Sequence, residues 1–526
     1  MSQYDAVIIG GGHNGLILAA YLVRSGLKVA VLEKRGEIGG GLTTEEVTVH
    51  GFRHNLHSHF HTTINIMPPY KDLELEKYGA CYVCPPTQKG MPLLDGRGLT
   101  IHTDIEKTCE SLARISKEDA RAYRTLYDDY KEFIETAVAA AIYSPPAYPT
   151  ERIARLETSP EGLDYLKLER ACPRDVVNAL FQNEAIKALI LHGLAIPRGI
   201  MDDYYGLGML VPLIVSLAEL DHLCLGGSHV LAHALWRVIV SHGGVVRGNK
   251  EVKRIIVQQG SACGVETADG EKFMAEKFIA SAIDLKQTFL NLLGEEDLST
   301  ELRGKVANYK GEEYSIFGIH LAINEPPRYR SAQFDPALQQ ALNLSIGGES
   351  TQALAQQWLD IRQGKPPEEP CLYLSVPTLF DQTQAPADKH TALIWQPAPY
   401  ALRTGGASAW DEIKEEYADR CLAKLRQYAP NMDEKNIIAR YILTPLDIER
   451  KLKSMPQGGV FHGRLCQDQI EFFRPLHELC QYRTPIANLY LCGSSTHPGG
   501  GITGAPAYNA LQIIAEDLNL TRWWEE

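Results

Sequence analysis

A chain of 526 residues exceeds what one hydrophobic core usually supports, so two domains are expected. Its 44% hydrophobic and 22% charged residues, without a low-complexity tract, are the composition of a soluble globular protein. A net charge of −13 with no Lys/Arg cluster argues against nucleic acid as a partner, because that binding depends on neutralising phosphates.

In chain order, "YDAVIIGGGHNGLILAAYLVRSGLKVAVLEKR" comes first. An apolar strand begins by residue 6, which leaves no room for a targeting segment. The strand runs into Gly10-x-Gly12-x-x-Gly15, an apolar helix to about Ser25 and a second strand ending at Glu33. Gly10 permits the tight turn, Gly12 lets the backbone approach a pyrophosphate, and Gly15 lets helix and strand pack closely. The helix N-terminus offers free amides and the positive end of its dipole to phosphate, and Glu33 is placed to bond a ribose. Strand, helix, strand and acid in register predict a dinucleotide site. A second close-approach loop at Gly39, Gly40 and Gly41 favours FAD over NAD, and no later Gly-x-Gly-x-x-Gly supplies a built-in NAD(P)H domain.

Next comes "HNLHSHFHTT" (54–63), where His57, His59 and His61 alternate and on a strand would project from one face. "CYVC" holds Cys81 and Cys84, the one C-x-x-C; without a second pair or a thioredoxin context it reads as structural. The eleven cysteines, odd in number and scattered, read as reduced intracellular thiols. "DARAYRTLYDDYKEFIETAVAAAIY" (119–143) has helical apolar spacing and opens a largely helical stretch to about 224. Within it, "GLGMLVPLIVSLAEL" (206–220) is too short to span a membrane and carries a proline, so it reads as a core helix or the wall of an apolar tunnel opening toward a membrane. Residues 226–257 read as helix, Gly-Gly turn and strands, and "VETADGEKFMAEKFIASA" as a hairpin and a buried strand. Strand-like runs follow in "YSIFGIHLAI", "PCLYLSV" and "TALIWQPAPY", with a long helix in "AWDEIKEEYADRCLAKLRQYA". The chain closes with the strand "ANLYLCGSS", the glycine loop "THPGGGITG" and the helix "APAYNALQIIAEDL".

"VIIGGGHNGLILAAYL", "LEKRGEIGGG", "GGVFHGRLCQDQIEFFRP" and "TPIANLYLCGSSTHPGGGITG" together resemble the FAD-dependent phytoene desaturase, carotenoid ketolase and carotenoid isomerase family. The resemblance is strongest to its pyridine nucleotide-disulfide oxidoreductase domain-containing protein 2 branch and runs from about residue 5 to 518. It implies an α/β fold: a Rossmann-type FAD-binding domain assembled from separated segments, with an inserted α+β substrate domain. The FAD segments would be 1–105, 226–310 and 456–526; the substrate domain would comprise a helical part (106–225) and a strand-containing part (311–455). It places FAD on the first glycine loop with Asn14, on Glu33 and Lys34, and on the second loop with Leu42. Val252 would bond the adenine through its backbone, and Gly493, Ser494, Gly500, Gly501 and Ile502 would meet the ribityl chain and pyrimidine end. Two departures, Ala507-Tyr508 before the asparagine (Asn509) of the final helix where related sequences usually have Gly-Arg, and Gly-Gly-Gly-Leu in the second loop, lie near the expected flavin ring. They put the family's substrate in question, not the cofactor.

The resemblance also brings the histidine run close to the flavin. His57, His59 and His61 could bind a metal, but no carboxylate lies two to four residues away and a flavin needs no metal, so none is expected. They are candidates for acid/base or substrate-orienting work, with a structural role as the alternative. His462 and Arg474 join them as catalytic candidates, Arg474 to orient an anion or stabilise reduced flavin. His497 reads as a loop residue fixing the flavin site. The leading expectation is an FAD-dependent oxidoreductase that desaturates, isomerises or saturates carbon-carbon bonds of an apolar or conjugated small molecule. It would be cytoplasmic, with peripheral membrane contact at the tunnel mouth. The alternatives are a peroxide-releasing flavin amine oxidase and a non-catalytic lipid escort of the GDP-dissociation-inhibitor type.

Overall fold

The computed structural model describes residues 2–62, 64–217 and 220–525. Two seven-stranded sheets organise them. In the first, Ser2–Ile9 lies parallel between Lys272–Ser281 and Val29–Leu32, and Val29–Leu32 pairs parallel with Val245–Arg247. Leu489–Leu491 runs parallel along Lys272–Ser281, while Val252–Gln258 and Ser261–Thr267 extend the sheet antiparallel. Ala6 to Ile9 form an unbroken buried apolar run, as a parallel strand covered on both faces requires. Helix His13–Arg24 starts directly after Gly12 and stops at Ser25-Gly26, where Gly26 adopts φ +82°. Its apolar residues pack against helices His229–Ser241 and Ala505–Leu518 in one cluster, and Val7, Ile9, Phe289 and Leu302 build the cluster on the sheet's other face. The chain is thus an α/β protein with a Rossmann-like nucleotide fold at its N-terminus.

The second sheet has the order Ile437–Leu443, Ser315–Ile323, His390–Ala398, Leu372–Ser375, Asn343–Ile346, Thr87–Pro92 and Gly98–His102. Alternation along Ser315–Ile323 sends Phe317, Ile319 and Leu321 into a core with Trp410 and Tyr417 of helix Trp410–Tyr428. Ile316, Gly318 and His320 take the opposite face.

Two expectations need correction. Thr87–Pro92 and Gly98–His102 belong to the second sheet by their pairing with each other and with Asn343–Ile346, so the first nucleotide segment ends before residue 87 rather than at 105. The histidine run is not a continuous strand: His54–Asn55 pairs antiparallel with Thr44–Glu45, residues 56–60 form bends and irregular coil, and His61 makes an isolated antiparallel bridge to His222. Thr63 lies outside the described residues. The apolar stretch 206–220 contributes helix Leu210–Leu217, buried against residues such as Ile186 and Leu189; residues 218 and 219 are also outside the description.

The contact that fixes the first turn is a backbone one. A Cβ on Gly15 would stand 2.1 Å from the Gly10 carbonyl oxygen. Gly15→Ala is therefore expected to force helix and strand apart, lowering stability by roughly 1–3 kcal/mol and weakening flavin retention. Thermal unfolding with flavin release as a second signal checks this.

Candidate active site

The two sheets flank a cavity of about 660 Å³. One end is lined by Glu33, Lys250, Glu251 and Val252, the middle by Gly10, Gly12 and Gly40, and the far end by Gly500, Gly501, Ile502, the histidine run and Trp395. Local structure explains the opening. Gly10 adopts φ +99°, reversing the chain between strand and helix. Gly12 bridges to Gly39, and the Gly39 amide donates to the Gly11 carbonyl at 2.8 Å, which lays the second glycine loop on the first. A Cβ on Gly40 would lie 3.2 Å from Gly12 Cα, so a side chain there would crowd this junction.

The geometry fits a dinucleotide. A Cβ on Gly12 would meet nothing within 4 Å, so the backbone at the helix N-terminus faces open cavity. Gly12 supplies no side-chain cap to that helix, leaving its first amides available for phosphate oxygens. Glu33 accepts from the amides of Gly11 and Arg35, both at 2.8 Å, and each oxygen keeps a lone pair for a ribose hydroxyl. Lys34, Arg35, Lys250, Lys253, Lys451 and Lys453 line the cavity against only Glu33 and Glu251 among its described acids, an excess of positive charge suited to a diphosphate. Asn14 donates to Ser494 Oγ at 3.0 Å while its buried Oδ1 has no partner among the described residues. At the far end, helix Ala505–Leu518 starts at Gly504 (φ +67°) without a side-chain cap.

The other expected cofactor residues divide by position. Lys34, Gly41, Val252, Ser494, Gly500, Gly501 and Ile502 line the cavity. Gly15, Gly39, Leu42 and Gly493 do not; the three glycines allow close packing, since a Cβ on Gly39 would stand 2.8 Å from the Leu42 carbonyl and one on Gly493 2.8 Å from that of Ala282, and the Leu42 side chain is buried in the core.

All three central histidines reach the cavity although they share no strand, because coil turns residues 57–62 along its wall. Neither ring nitrogen of His57 or His59 has a partner among the described residues. His59 sits edge-on to Phe60 (4.7 Å between ring centroids) and Trp395 (5.2 Å). His61 Nδ1 shares a hydrogen bond with the Tyr82 hydroxyl at 2.7 Å, and its amide bonds the His222 carbonyl. Burial holds all three rings neutral, lowering each to about 3; nearby Lys451 and Arg35 add to the effect at His57, His61 at His59, and His13 and His222 at His61. His462 also lines the cavity and is lowered to about 3, first by burial and then by His13 and Arg474. Among the described residues no three His, Cys, Asp or Glu side chains converge as a metal would need.

Arg474 is a correction. It lies outside the cavity lining, fully buried, and its guanidinium donates to the carbonyls of Phe461 (3.3 Å), His462 (3.1 Å), Gln469 (3.4 Å) and Ser494 (3.3 Å), among others. A group so buried ties loop 461–469 to the final strand's loop and presents no face to the cavity, its Nε being without a partner among the described residues. His497, also outside the lining, bonds the Ala141 carbonyl through Nε2 at 3.1 Å. Cys81 and Cys84 flank the short strand Tyr82–Val83, away from the cavity.

Sequence reasoning missed His13, Arg198 and Trp395. His13 occupies a variable position of the glycine motif, yet it lines the cavity and is lowered to about 4 by burial. Trp395 and Arg198 arrive from the second sheet and from helix Glu184–Arg198, with no local signal to mark them.

A family model for an NAD(P)-binding Rossmann-like domain matches residues 8–73. A limonene dehydrogenase subunit from Castellaniella defragrans is 34% identical over 100% of this chain and 97% of its own length. Pyridine nucleotide-disulfide oxidoreductase domain-containing protein 2 from Rattus norvegicus is 30% identical over 98% and 94%. Among solved structures, cyclohexylamine oxidase from Brevibacterium oxydans shares the fold at 14% identity, with a TM-score of 0.58 and coverage of 98% and 99%.

The buried neutral rings set a pH dependence. A histidine whose folded pKa lies near 3, below its unfolded value of 6.5, contributes full stability above 6.5 and loses it as pH falls toward 3, because the unfolded chain binds the proton first. Stability should therefore fall steeply below about pH 6, each such ring adding up to roughly 1.4 kcal/mol per pH unit. His57→Gln should flatten that slope in denaturant titrations across pH. Arg474→Met should lower stability by about 3 kcal/mol or more through the carbonyls it strands, measured in the same titrations at neutral pH.

Proposed function

The chain belongs to the phytoene desaturase-like family of FAD-dependent oxidoreductases, with the limonene dehydrogenase of Castellaniella defragrans and the pyridine nucleotide-disulfide oxidoreductase domain-containing protein 2 group, and from this we propose that it dehydrogenates carbon-carbon bonds of a small apolar, unsaturated molecule. Its cofactor is FAD. We assign FAD to the first sheet with its three glycine loops, and substrate to the cavity wall contributed by the second sheet.

The observation that carries this reading is the charge and character of the far wall. Trp395, Phe60, Ile316 and Phe461 give it an apolar, aromatic surface, its histidines are neutral, and its acids, Glu33 and Glu251, lie at the other end. An ammonium substrate would find Arg198 and no carboxylate, so a hydrocarbon ring or polyene fits better than an amine. The lipid-escort alternative requires a chain that has given up its cofactor, whereas the cradle for the diphosphate is intact.

Bound in this cavity, the flavin supplies a hydride-accepting centre. The protein's part is to exclude water, hold the substrate carbon against the aromatic wall, and take the second hydrogen as a proton. His59 and His57 are placed for that last task because each keeps a neutral ring with both nitrogens uncommitted to protein. A ring held this weakly basic accepts a proton only from a carbon already made electron-deficient, which couples proton loss to hydride loss. The electron-rich faces of Trp395 and Phe60 stabilise positive charge on such a carbon. We further infer peripheral membrane contact through exposed Tyr148, Ile153 and Phe473. No helix among the described residues is long and apolar enough to cross a membrane.

Anaerobic mixing with limonene, and separately with phytoene, should bleach the oxidised flavin spectrum, and a panel of primary amines should not. His59→Ala should slow bleaching roughly 100-fold with flavin content unchanged. Bleaching by the amines alone would overturn the reading in favour of an amine oxidase.

A further inference from the structure

Dehydrogenation leaves a proton at the buried substrate end of the cavity, and the histidines there supply more than the chemistry needs. Besides His57 and His59, His320 is fully buried in the middle of Ser315–Ile323, and neither of its ring nitrogens has a partner among the described residues. Buried polar atoms are nearly always satisfied by protein or by ordered water, so a set of unsatisfied imidazole nitrogens calls for water between them. Room for it exists. A void of about 10 Å³, close to the smallest that holds one water, is lined by His57, Gly318 and Trp395 and adjoins the main cavity through shared wall residues. It stays open because residue 318 has no side chain: a Cβ there would fall 3.6 Å from His320 Nε2 and 3.5 Å from Trp395 Cδ1.

On its other side His320 meets His54 edge-on, with ring centroids 5.7 Å apart. His54 Nε2 shares a hydrogen bond of 2.8 Å with Thr48 Oγ1. Thr48 is half-buried and lies two residues before His50, whose side chain is 99% exposed. His57 lines the void, His320 Nε2 lies beside Gly318 at its edge, and His320 meets His54 by ring contact without a hydrogen bond, so these side chains form a cluster that reaches from the cavity toward the loop 46–51.

We propose that this cluster is a proton exit: the hydrogen lost as a proton from the substrate carbon passes from His57 or His59 through one water to His320, then, as the adjoining rings reorient, to His54, Thr48 and solvent. The inference rests on the dehydrogenase reading. It balances that reaction: one C–H bond breaks with its electron pair, which goes to FAD as hydride; the neighbouring C–H bond breaks leaving its pair as the new π bond, and its proton takes this route. The charged and titratable groups facing the cluster support outward flow. Lys451 and Arg35 face His57, His61 faces His59, and His54, His57, Lys451 and His59 face His320; Tyr441 packs beside His320 at 6.4 Å. Burial and these neighbours hold the interior rings neutral, so a proton placed on one is passed to bulk water rather than stored. His320, argued to act through others, is a positioning residue.

Two measurements test the route. In a high-resolution crystal structure of the FAD-loaded protein, a water bonded to both His57 and His320 Nε2 is expected, and Gly318→Ala should remove it; a dry void in the wild type overturns the route. In anaerobic stopped flow with limonene and a pH-indicator dye, wild-type flavin bleaching and proton release should coincide. In Gly318→Ala and His320→Phe, bleaching should persist while the proton reaches the dye at least about tenfold later. Proton release in step with bleaching in both variants overturns the route and leaves the dehydrogenase standing. Failure of limonene and phytoene to bleach the wild type counts against the dehydrogenase itself, and the crystallographic water then decides whether the histidine route is real.

Discussion

Contact between backbones without side chains is the constraint on which this structure depends. Gly15 lies against the Gly10 carbonyl, Gly39 bonds Gly11, and Gly493 lies against Ala282. Each contact joins a different part of the chain to the central strand Ser2–Ile9 or its parallel neighbour Lys272–Ser281. Remove the Cβ-free approach at any of them and the glycine loops cannot line one cavity. Because dispersion and backbone hydrogen bonds are short-ranged, a displacement as small as one methyl group would open the junction at which the helix N-terminus faces a diphosphate.

The second constraint is electrostatic. Evenly hydrated histidines would titrate near neutral pH, but here burial without a carboxylate partner keeps His57, His59, His61 and His462 neutral around the substrate end. The cations instead collect along the cradle, on Lys34, Arg35, Lys250 and Lys253. A single cavity thereby combines a polar, cationic half suited to a dinucleotide with an aromatic half that has neutral histidines and no carboxylate, suited to an apolar molecule. Arg474 works outside both halves: one buried guanidinium gathers the carbonyls of the loop that carries His462 and the loop that carries Ser494. It shapes the site without touching what binds there.

The nucleotide half is legible in the chain because its determinants are local. A tight turn, a helix start and an acid at a strand end follow one another within residues 6–33, and their spacing is set by strand and helix geometry alone. The strands and helices of the later segments are legible for the same reason, through apolar periodicity. The histidine run imitates a strand, since alternation of like residues mimics a pleat; in the fold its backbone pairs at His54–Asn55, follows the cavity wall as coil, and pairs again only at the single bridge from His61 to His222. Arg474 imitates a substrate ligand because a buried arginine bonded to carbonyls and an arginine bonded to substrate have the same sequence signature.

By itself, then, the sequence determined the class of fold, the dinucleotide cradle and the family, all of which reside in contiguous motifs. Tertiary structure alone decided that Thr87–His102 pairs with the second sheet, that His13 and Trp395 share a cavity with the histidine run, and that Gly318 leaves space beside His320. All but the last are relations between residues tens to hundreds of positions apart, and the last depends on what the sheet packs against. Periodicity and spacing carry no information on them, because they depend on how sheets pack and on where a missing side chain leaves room.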